Sequence, residues 1–429
     1  MWSIAGYEDE LLRNQTIKLN TTGAKTLFQI RLEAIVQQFN SKVAIAYRPG
    51  KKKEIMRILL VGMADSIHLS RWISQFDSSD LIFEVVSASP HRRVQKGISE
   101  RARRSNRVSI TWFSRVFSLP MWIADRFLSD WVRGAYIAWR IRRFNPEIVH
   151  IHELQNAGYA TRRAFQLLKQ KKPKLIVTNY GSEIVWFSKF PKHKAKIKAL
   201  LDLADGFSAE CTRDYNLAAQ ISSGYQTLPL MPVAGGLAKF TGPEGVRNKI
   251  TIKGYENHWG KAIVALETVS GLGNRLRNLE IVMYSCNAPV LRAAKKLSKS
   301  TGLKITTYKK GALSHSQVMD LFQSSLIYVG HSLSDGISTS MVEAMAMGAI
   351  PVQTNTSCAQ EWVVDKKTGF IFTPNDLDAL RSAVLDIIEG KFDSDAARAE
   401  NYAVIDSRYN PDKLSLIAAG YYQSLTASA

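Results

Sequence analysis

The sequence has little cysteine and no long apolar run. Its 429 residues include only three cysteines, which lie far apart and form no C-x-x-C pair. This distribution argues against a disulfide framework or a zinc site and is typical of a reducing compartment. No uninterrupted apolar run reaches the ~18 residues that a membrane-spanning helix needs. The amino terminus carries Glu8, Asp9 and Glu10 where a secretory signal would be apolar, so we expect a cytoplasmic protein.

Acidic residues are scarce relative to basic ones. The 57 lysines and arginines outnumber the 37 aspartates and glutamates, which gives a formal net charge of +20. Such an excess predicts an anionic partner: nucleotide phosphates, a phospholipid-type substrate, a membrane surface or nucleic acid. Nucleic acid is the weakest of these, because no RNA-recognition signature is present and the basic residues mixed with aromatics are confined to one segment.

That segment, Arg92–Arg143, interleaves arginines with large aromatic residues such as Trp131 and Trp139. Cations beside indole rings are typical of a segment that lies at a membrane interface. Tryptophans at helical spacing also form cores, and arginine with aromatics also binds single-stranded nucleic acid. We favour contact with an anionic membrane surface, which would make the protein peripheral at the inner face of the membrane.

Short apolar strands alternate with helical stretches from residue 57 onwards. The first predicted series of strands is Arg57–Gly62, Leu81–Ser87, Glu147–His152, Lys174–Thr178 and Gly206–Glu210. The second is Lys249–Lys253, Leu279–Ser285, Leu303–Tyr308, Leu326–Val329, Ala349–Val352 and Gly369–Phe372. This alternation predicts an α/β protein with parallel sheets and helices on both faces. The length favours two domains, and the proline- and glycine-containing stretch Leu228–Gly245 is a plausible linker.

The most informative stretch is Leu326–Thr354, LIYVGHSLSDGISTSMVEAMAMGAIPVQT. Its order of strand, loop, helix and strand predicts a βαβ unit with a phosphate site at the helix amino terminus. Asp335 and Glu343 flank this helix start, and ionised carboxylates suit the hydroxyls of a sugar. Together these groups predict a nucleotide-sugar pocket. The alternative is that Glu343 is a solvated helix residue and Asp335 a turn former.

A longer pattern within and after this stretch resembles a known family. SDGISTSMVEAMAMGAIPV, followed by Glu361-Trp362 and Lys367-Thr368-Gly369-Phe370, is similar to the donor-binding core of retaining glycosyltransferases of family 4. That family has the signature E-x7-E, here Asp335-x7-Glu343, and many members have S-D-G-x-S-x-S-x-x-E-A-M-A. The resemblance implies the GT-B fold: two Rossmann-like, doubly wound parallel-sheet domains facing a cleft.

The resemblance also implies how the chain is divided. We expect an extension without assigned role over 1–55, an acceptor domain over 56–235, a donor domain over 236–405, and a helix over 406–429 that crosses back to the first domain.

Individual residues take roles from the same resemblance. The expected donor-binding residues are Lys253, Lys261, Gly336, Ile337, Ser338, Thr339, Ser340 and Glu343. The expected catalytic residues are His152, Asp335 and Lys261. Those expected on the acceptor side are Ser66, Asn179, Gly181 and Glu183. Three departures are Asp335 where the signature has glutamate, lysine where the family often has arginine, and Glu183 where it has aspartate. We interpret His68 as a helix-surface histidine.

These features predict a retaining glycosyltransferase that moves a sugar from a nucleotide diphosphate sugar to a saccharide or lipid-linked saccharide, in polysaccharide or lipid-linked saccharide synthesis. We expect no cofactor and no metal, since the lysines and helix end neutralise the diphosphate and no D-x-D motif lies in a suitable loop. Two alternatives stay open. One is a GT-B epimerase of nucleotide sugars; the other is a non-catalytic basic protein that binds membrane or nucleic acid.

Overall fold

The computed structural model describes residues 55–76, 80–88, 94–111, 118–128, 130–169, 172–242 and 245–426. By contacts the chain divides into two compact units, Met1–Lys51 and Lys52–Ala429, and every described residue lies in the second. Apart from Ile55, the expected extension lies outside the described residues, as do residues 92–93, 112–117 and 129 of the basic segment.

Seven parallel strands form the first sheet, in the order β3-β2-β1-β4-β5-β6-β7. They are β1 Met56–Gly62, β2 Leu81–Ser87, β3 Val108–Thr111, β4 Ile148–His152, β5 Lys174–Asn179, β6 Gly206–Ala209 and β7 Gln226–Thr227. The five predicted strands are confirmed within a residue or two at each end. We missed β3, whose apolar residues alternate with Ser109 and Thr111, and β7, which has only two residues.

Eight helices accompany this sheet in the described part of the chain. They are α1 Ile67–Ser74, α2 Lys96–Arg104, α3 Ser118–Phe127, α4 Trp131–Phe144, α5 Tyr159–Leu167, α6 Ser182–Phe187, α7 Pro191–Leu201 and α8 Thr212–Ile221. Because helices cover both faces, the central strands are mostly buried, and Ile58, Leu59, Leu60 and Val61 of β1 are all fully buried.

Six parallel strands form the second sheet, in the order β10-β9-β8-β11-β12-β13. They are β8 Lys249–Lys253, β9 Glu280–Cys286, β10 Ile305–Lys309, β11 Ser325–Gly330, β12 Ile350–Thr354 and β13 Phe370–Phe372. The accompanying helices are α9 Ala262–Ser270, α10 Ala288–Thr301, α11 His315–Gln323, α12 Thr339–Ala346, α13 Leu377–Ile388, α14 Ser394–Arg408 and α15 Pro411–Thr426.

The predicted βαβ unit is present as β11, α12 and β12, and the two strands pair in parallel. Of the three hydroxyl residues at the helix start, Ser338 is the cap, and its Oγ accepts from the N–H of Met341 at 3.4 Å. Gly348 follows the helix with φ +87°, a left-handed conformation that favours glycine and ends the helix. The unit is therefore as the sequence predicts.

Each sheet reverses its strand order at one point, between β1 and β4 in the first and between β8 and β11 in the second. Loops that leave adjacent strands in opposite directions open a crevice there, at the carboxyl ends of the strands. At this edge of the first sheet lie Ser66, which follows β1, and His152, which ends β4. At the same edge of the second sheet lie Lys253, which ends β8, and the loop between β11 and α12, called here the Asp335 loop.

The last helix, α15, packs on the first sheet. The Tyr422 hydroxyl accepts a hydrogen bond from Trp72 Nε1 at 2.8 Å and lies 3.0 Å from His150 Nδ1. Tyr421 and Tyr422 are both fully buried. The last described helix therefore packs on the first half, although it follows the second sheet in the sequence. Among the helices described, none is both long enough and apolar enough to cross a bilayer.

Candidate active site

The two halves meet at a pair of glycines, Gly181 and Gly336. Gly181 lies at the amino terminus of α6 with φ +110°, and a Cβ placed on it would come within 2.1 Å of the Gly336 nitrogen. Only glycine permits both this conformation and this approach. A Cβ on Gly336 would in turn lie 2.9 Å from Glu210 Oε2 and from the Tyr180 carbonyl oxygen. The loop expected to hold the donor is thus in backbone contact with the other half.

Asp335 lies beside this contact and is half-buried. One of its carboxylate oxygens accepts the Gly336 N–H at 2.9 Å. Burial raises the pKa of Asp335 to about 6, although the charge of Lys253 and the Gly336 hydrogen bond act to lower it. The ionised and protonated forms of this side chain therefore interconvert near neutral pH.

Lys253 ends β8, and Lys261 lies beside the residue that follows the neighbouring strand β11. The positive charge of Lys253 acts to lower the pKa of both Asp335 and His68. Lys261 immediately precedes α9, and its N–H donates to the His331 carbonyl oxygen at 3.0 Å. The structure thus brings Lys261 to His331, the first residue of the Asp335 loop, and couples the charge of Lys253 to Asp335.

Glu343 is not a solvated helix residue. It is 6% exposed, and its Oε1 accepts from Arg71 of α1 and lies within hydrogen-bond distance of His315 Nε2, both at 2.9 Å. Burial would raise the pKa of Glu343, but the His315 hydrogen bond and the Arg71 charge outweigh it and hold the pKa below its usual range. The carboxylate therefore stays ionised at the boundary between the halves.

A cavity of about 530 Å³ lies against this ion pair. Arg71, His315 and Glu343 contribute to its wall, together with the linker residues Ala234–Leu237 and the start of α15. Its volume is within the range of cavities that hold small ligands. Glu343 thus offers an anionic oxygen to a ligand-sized space.

His152 ends β4 and is completely buried. Its Nδ1 lies 2.9 Å from the Tyr180 hydroxyl, whereas its buried Nε2 contacts no hydrogen-bond partner among the described residues. Burial lowers the pKa of His152 to about 3, and the charge of His68 contributes. The imidazole is therefore neutral, with one nitrogen able to accept or donate when a ligand reaches it.

The interpretation of His68 as a surface histidine is wrong. Its ring lies 5.7 Å from that of Tyr180, and its Nδ1 is buried without a partner among the described residues. Burial lowers the pKa of His68 to about 4, with the charges of Arg71 and Lys253 adding to the effect. Ser66 caps α1 by accepting the backbone N–H of His68 at 3.2 Å.

Two of the residues expected on the acceptor side have partners inside the first half. Asn179 is fully buried and donates to Asp214 at 2.7 Å. The Glu183 carboxylate accepts the Tyr180 N–H at 2.6 Å, and burial, with the charge of Glu153, raises the pKa of Glu183 well above its usual range. In this conformation both side chains shape the loop that carries Gly181.

Sequence reasoning missed the side chains that join the halves. Arg213 donates to the carbonyl oxygens of Asp335 at 2.8 Å and Thr356 at 3.0 Å, and Arg71 and His315 both bind Glu343. One available signal was that Arg71 follows His68 by three residues, which places both on one face of α1. The sequence carries no comparable signal for Arg213 or His315.

Comparison with known families supports the same architecture, half by half. The glycosyl transferase 4-like family matches residues 57–210, and the family of glycosyl transferases group 1 matches residues 264–404. The chain is a glycosyltransferase with the GT-B fold. No curated protein sequence matches this glycosyltransferase significantly.

Solved structures share the fold of this glycosyltransferase at low identity. HepE of Anabaena is 11% identical, with a TM-score of 0.63 over 86% of the chain and 100% of HepE. Sucrose-phosphate synthase of Thermosynechococcus elongatus is 14% identical, with a TM-score of 0.66 over 87% of the chain and 100% of the synthase. A glycosyltransferase of Rickettsia africae is 15% identical, with a TM-score of 0.62 over 87% and 99%.

Proposed function

We propose that the enzyme transfers a sugar from a nucleotide diphosphate sugar to a hydroxyl of a saccharide or lipid-linked saccharide, with retention of configuration, in polysaccharide or lipid-linked saccharide synthesis. The structure of HepE is of a complex with UDP-glucose, which supports a donor of this class. The Asp335-x7-Glu343 spacing supports membership of the retaining family 4.

The observation that carries the proposal is the set of charges around the Asp335 loop. Lys253 is electrostatically coupled to Asp335, while Glu343, one helix turn into α12, stays ionised beside a ligand-sized cavity. Cations suit a diphosphate, and carboxylates suit the hydroxyls of ribose and sugar. We assign the sugar hydroxyls to Asp335 and the ribose hydroxyls to Glu343.

Transfer then depends on stabilising the leaving diphosphate. Lys253, Lys261 and the N–H groups of Ser338–Ser340 at the start of α12 would meet the charge that develops as the glycosidic bond breaks. Fixed cations and helix dipoles of this kind act without reorganisation during the reaction. The proposal requires no divalent metal, so EDTA should leave the rate unchanged.

His152 is assigned to orient the reacting sugar. Its Nε2 is buried, unpartnered among the described residues and neutral. A neutral imidazole can hydrogen-bond a sugar hydroxyl without competing with the two lysines for the diphosphate.

A membrane-associated acceptor is favoured by one surface of the first half. Leu119, Ile123 and Phe127 recur every four residues along α3 and are 52%, 46% and 84% exposed, and Trp131 at the start of α4 is 52% exposed. Large apolar side chains at this spacing form an exposed stripe, which suits insertion among lipid headgroups. We propose that this stripe, within Arg92–Arg143, holds the enzyme at an anionic membrane.

Not every arginine of that segment is available to headgroups. Arg140 forms a bidentate pair with Glu84 at 2.7 and 2.6 Å, and Arg133 binds Asp125 and Asp130 at 2.6 and 2.9 Å. These two arginines stabilise the first half. The membrane proposal therefore rests on the apolar stripe and on exposed arginines such as Arg103, Arg104 and Arg143.

A calorimetric screen of UDP-, GDP- and ADP-sugars tests the donor assignment. We expect the wild type to bind nucleotide sugars of one of these three bases. The affinity for that donor should fall in Lys253→Met and in Glu343→Gln. Binding of none of them would favour a non-catalytic protein. Product analysis by NMR with and without acceptor then separates transfer from epimerisation, and the anomeric coupling of the product tests retention.

A further inference from the structure

Two cysteines that are 147 residues apart in the sequence lie in contact at the boundary between the halves. The Sγ atoms of Cys211 and Cys358 are 2.8 Å apart, and both side chains are buried. Cys211 follows β6 and immediately precedes α8 in the first half. Cys358 follows β12 in the second half, with φ +49° between two short 3-10 turns.

The backbone around this pair is fixed across the same boundary. The N–H of Thr212 donates to Glu361 Oε1 at 2.9 Å, and Arg213 holds the Thr356 and Asp335 carbonyl oxygens. These contacts keep the segment after β6 against the segment after β12. The two sulfurs therefore face each other only while the halves are together at this point.

The halves must part before a ligand can pass between Gly181 and Gly336. Gly181 and Gly336 are in backbone contact, so a ligand can reach the Asp335 loop from this side only when they part. Enzymes that close over their ligands commonly release product at the rate of opening. A covalent bond between Cys211 and Cys358 would prevent that opening.

We propose that Cys211 and Cys358 are a site of oxidative modification, at which a peroxide links the two halves of the enzyme by a disulfide. In the open form one thiol reduces hydrogen peroxide, giving a sulfenic acid and one water. On closure the second thiol attacks the sulfenic sulfur, and the disulfide forms with loss of a second water. The two cysteines are thereby oxidised by two electrons, and one peroxide is reduced to two waters.

The surroundings of Cys211 fit this order of events. In the closed form two effects raise the pKa of Cys211: the contact with Cys358, which is the larger, and burial. The thiol is therefore protonated and shielded. Opening would remove the Cys358 contact and the burial that the second half provides, which leaves Cys211 at the amino terminus of α8. There the helix dipole and the charge of Arg213 favour a thiolate, and the charge of Asp214 opposes it. The first oxidation therefore belongs to the open form and the second to the closed form.

A metal site is the other chemistry that this cluster could support. One oxygen of Glu361 and the two sulfurs lie within 4.8 Å of one another. However, the carboxylate already accepts the Thr212 N–H, and the charge of Arg213 acts on both sulfurs and would oppose a dication. The arrangement therefore favours disulfide formation, and metal binding becomes an outcome of the test.

The test uses the full chain, reduced and then treated with hydrogen peroxide. Mass spectrometry of an unreduced digest should show the 211-containing peptide joined to the 358-containing peptide, two hydrogens lighter than the sum. The linked protein should unfold at a higher temperature than the reduced form, lose at least about tenfold in turnover, and regain both original properties with dithiothreitol.

Matched variants make the result specific. Cys286→Ser removes the remaining cysteine and should still form the link, whereas Cys358→Ser should form none and should keep its turnover under peroxide. Three results would overturn the proposal: no 211–358 link in the wild type, a linked enzyme that turns over at the reduced rate, or stoichiometric zinc that is lost in Cys358→Ser. The mass and unfolding measurements need no substrate, so they stand apart from the assigned reaction.

Discussion

The Arg71 guanidinium lies 2.9 Å from Glu343 Oε1 and thereby connects α1 of the first half to α12 of the second. The side chains of Arg71 and Glu343 are 21% and 8% exposed, so water screens the pair only partly. The contact makes the ionised state of the Glu343 carboxylate, which we propose binds the donor, depend on a residue of the opposite half. It is the relationship from which the first prediction follows.

Replacing Arg71 should destabilise the enzyme. Arg71→Met removes the cation but keeps much of the side-chain length, which leaves the buried carboxylate with His315 alone. We expect the free energy of unfolding in urea to fall by about 2 kcal/mol. Combined with Glu343→Gln the losses should be less than additive, since both changes break one interaction. Arg103→Met on exposed α2 is the control and should change stability by less than about 0.5 kcal/mol; equal effects of the two methionine variants would contradict the interpretation.

Donor affinity should depend on pH through Asp335. Burial raises the pKa of Asp335 to about 6, so the group is ionised above that pH and protonated below it. Only the ionised form accepts two sugar hydroxyls well. We expect donor affinity, measured by calorimetry, to be constant above pH 7 and to fall by up to about tenfold per unit below pH 6. Asp335→Asn should bind weakly with no such limb; a wild-type profile that is flat from pH 5 to 7 would refute the assignment.

Neutralising the crevice lysines should slow the chemical step. Lys253→Met and Lys261→Met each remove a cation assigned to the leaving diphosphate. We expect kcat to fall by about 10²–10³-fold for either change, as is typical when one electrostatic donor to a developing anion is lost. Lys295→Met on the exposed side of α10 removes the same charge from a remote position and should keep the wild-type rate. If Lys295→Met lowered kcat as much as Lys253→Met does, the overall charge of the protein, and not the position of the lysine, would set the rate.

Adding one methyl group at Gly181 should push the halves apart. The Cβ of Gly181→Ala would overlap the Gly336 nitrogen, and the residue would be held at φ +110°. We expect a loss of about 1–3 kcal/mol in stability together with impaired turnover. Gly224→Ala is the matched control, because no atom lies within 4 Å of its Cβ position. The test compares the thermal unfolding and the activity of both variants with those of the wild type. A Gly181→Ala variant with wild-type stability and activity would rule out close contact between Gly181 and Gly336.

Removing the apolar stripe should weaken membrane binding. Phe127→Ser combined with Trp131→Ser deletes two exposed rings, and we expect several-fold less protein to sediment with vesicles containing anionic lipid. Leu416→Ser on α15 deletes an apolar side chain that is 63% exposed and should have no effect. The membrane proposal fails if the wild type does not sediment with the vesicles. It also fails if the double variant sediments with them as much as the wild type does.

The sequence predicted the βαβ unit around α12 because its signals are local. Apolar runs, a serine cap and a terminal glycine act over a few residues, and the structure shows the two strands, the cap at Ser338 and the helix end at Gly348. Local signals failed where the element was short or polar, as in β3 and β7. They also failed for His68, because periodicity identifies the face of a helix without identifying what covers it.

By itself the sequence determined the parallel α/β architecture, the excess of positive charge and the spacing of Asp335 and Glu343. Only the tertiary structure decided that Arg71 meets Glu343 across 272 positions, that Gly181 packs on Gly336, and that Cys211 meets Cys358. The physical reason is that hydrophobic burial is non-directional: it selects which faces leave water, while the partners depend on how two separately wound sheets are brought together.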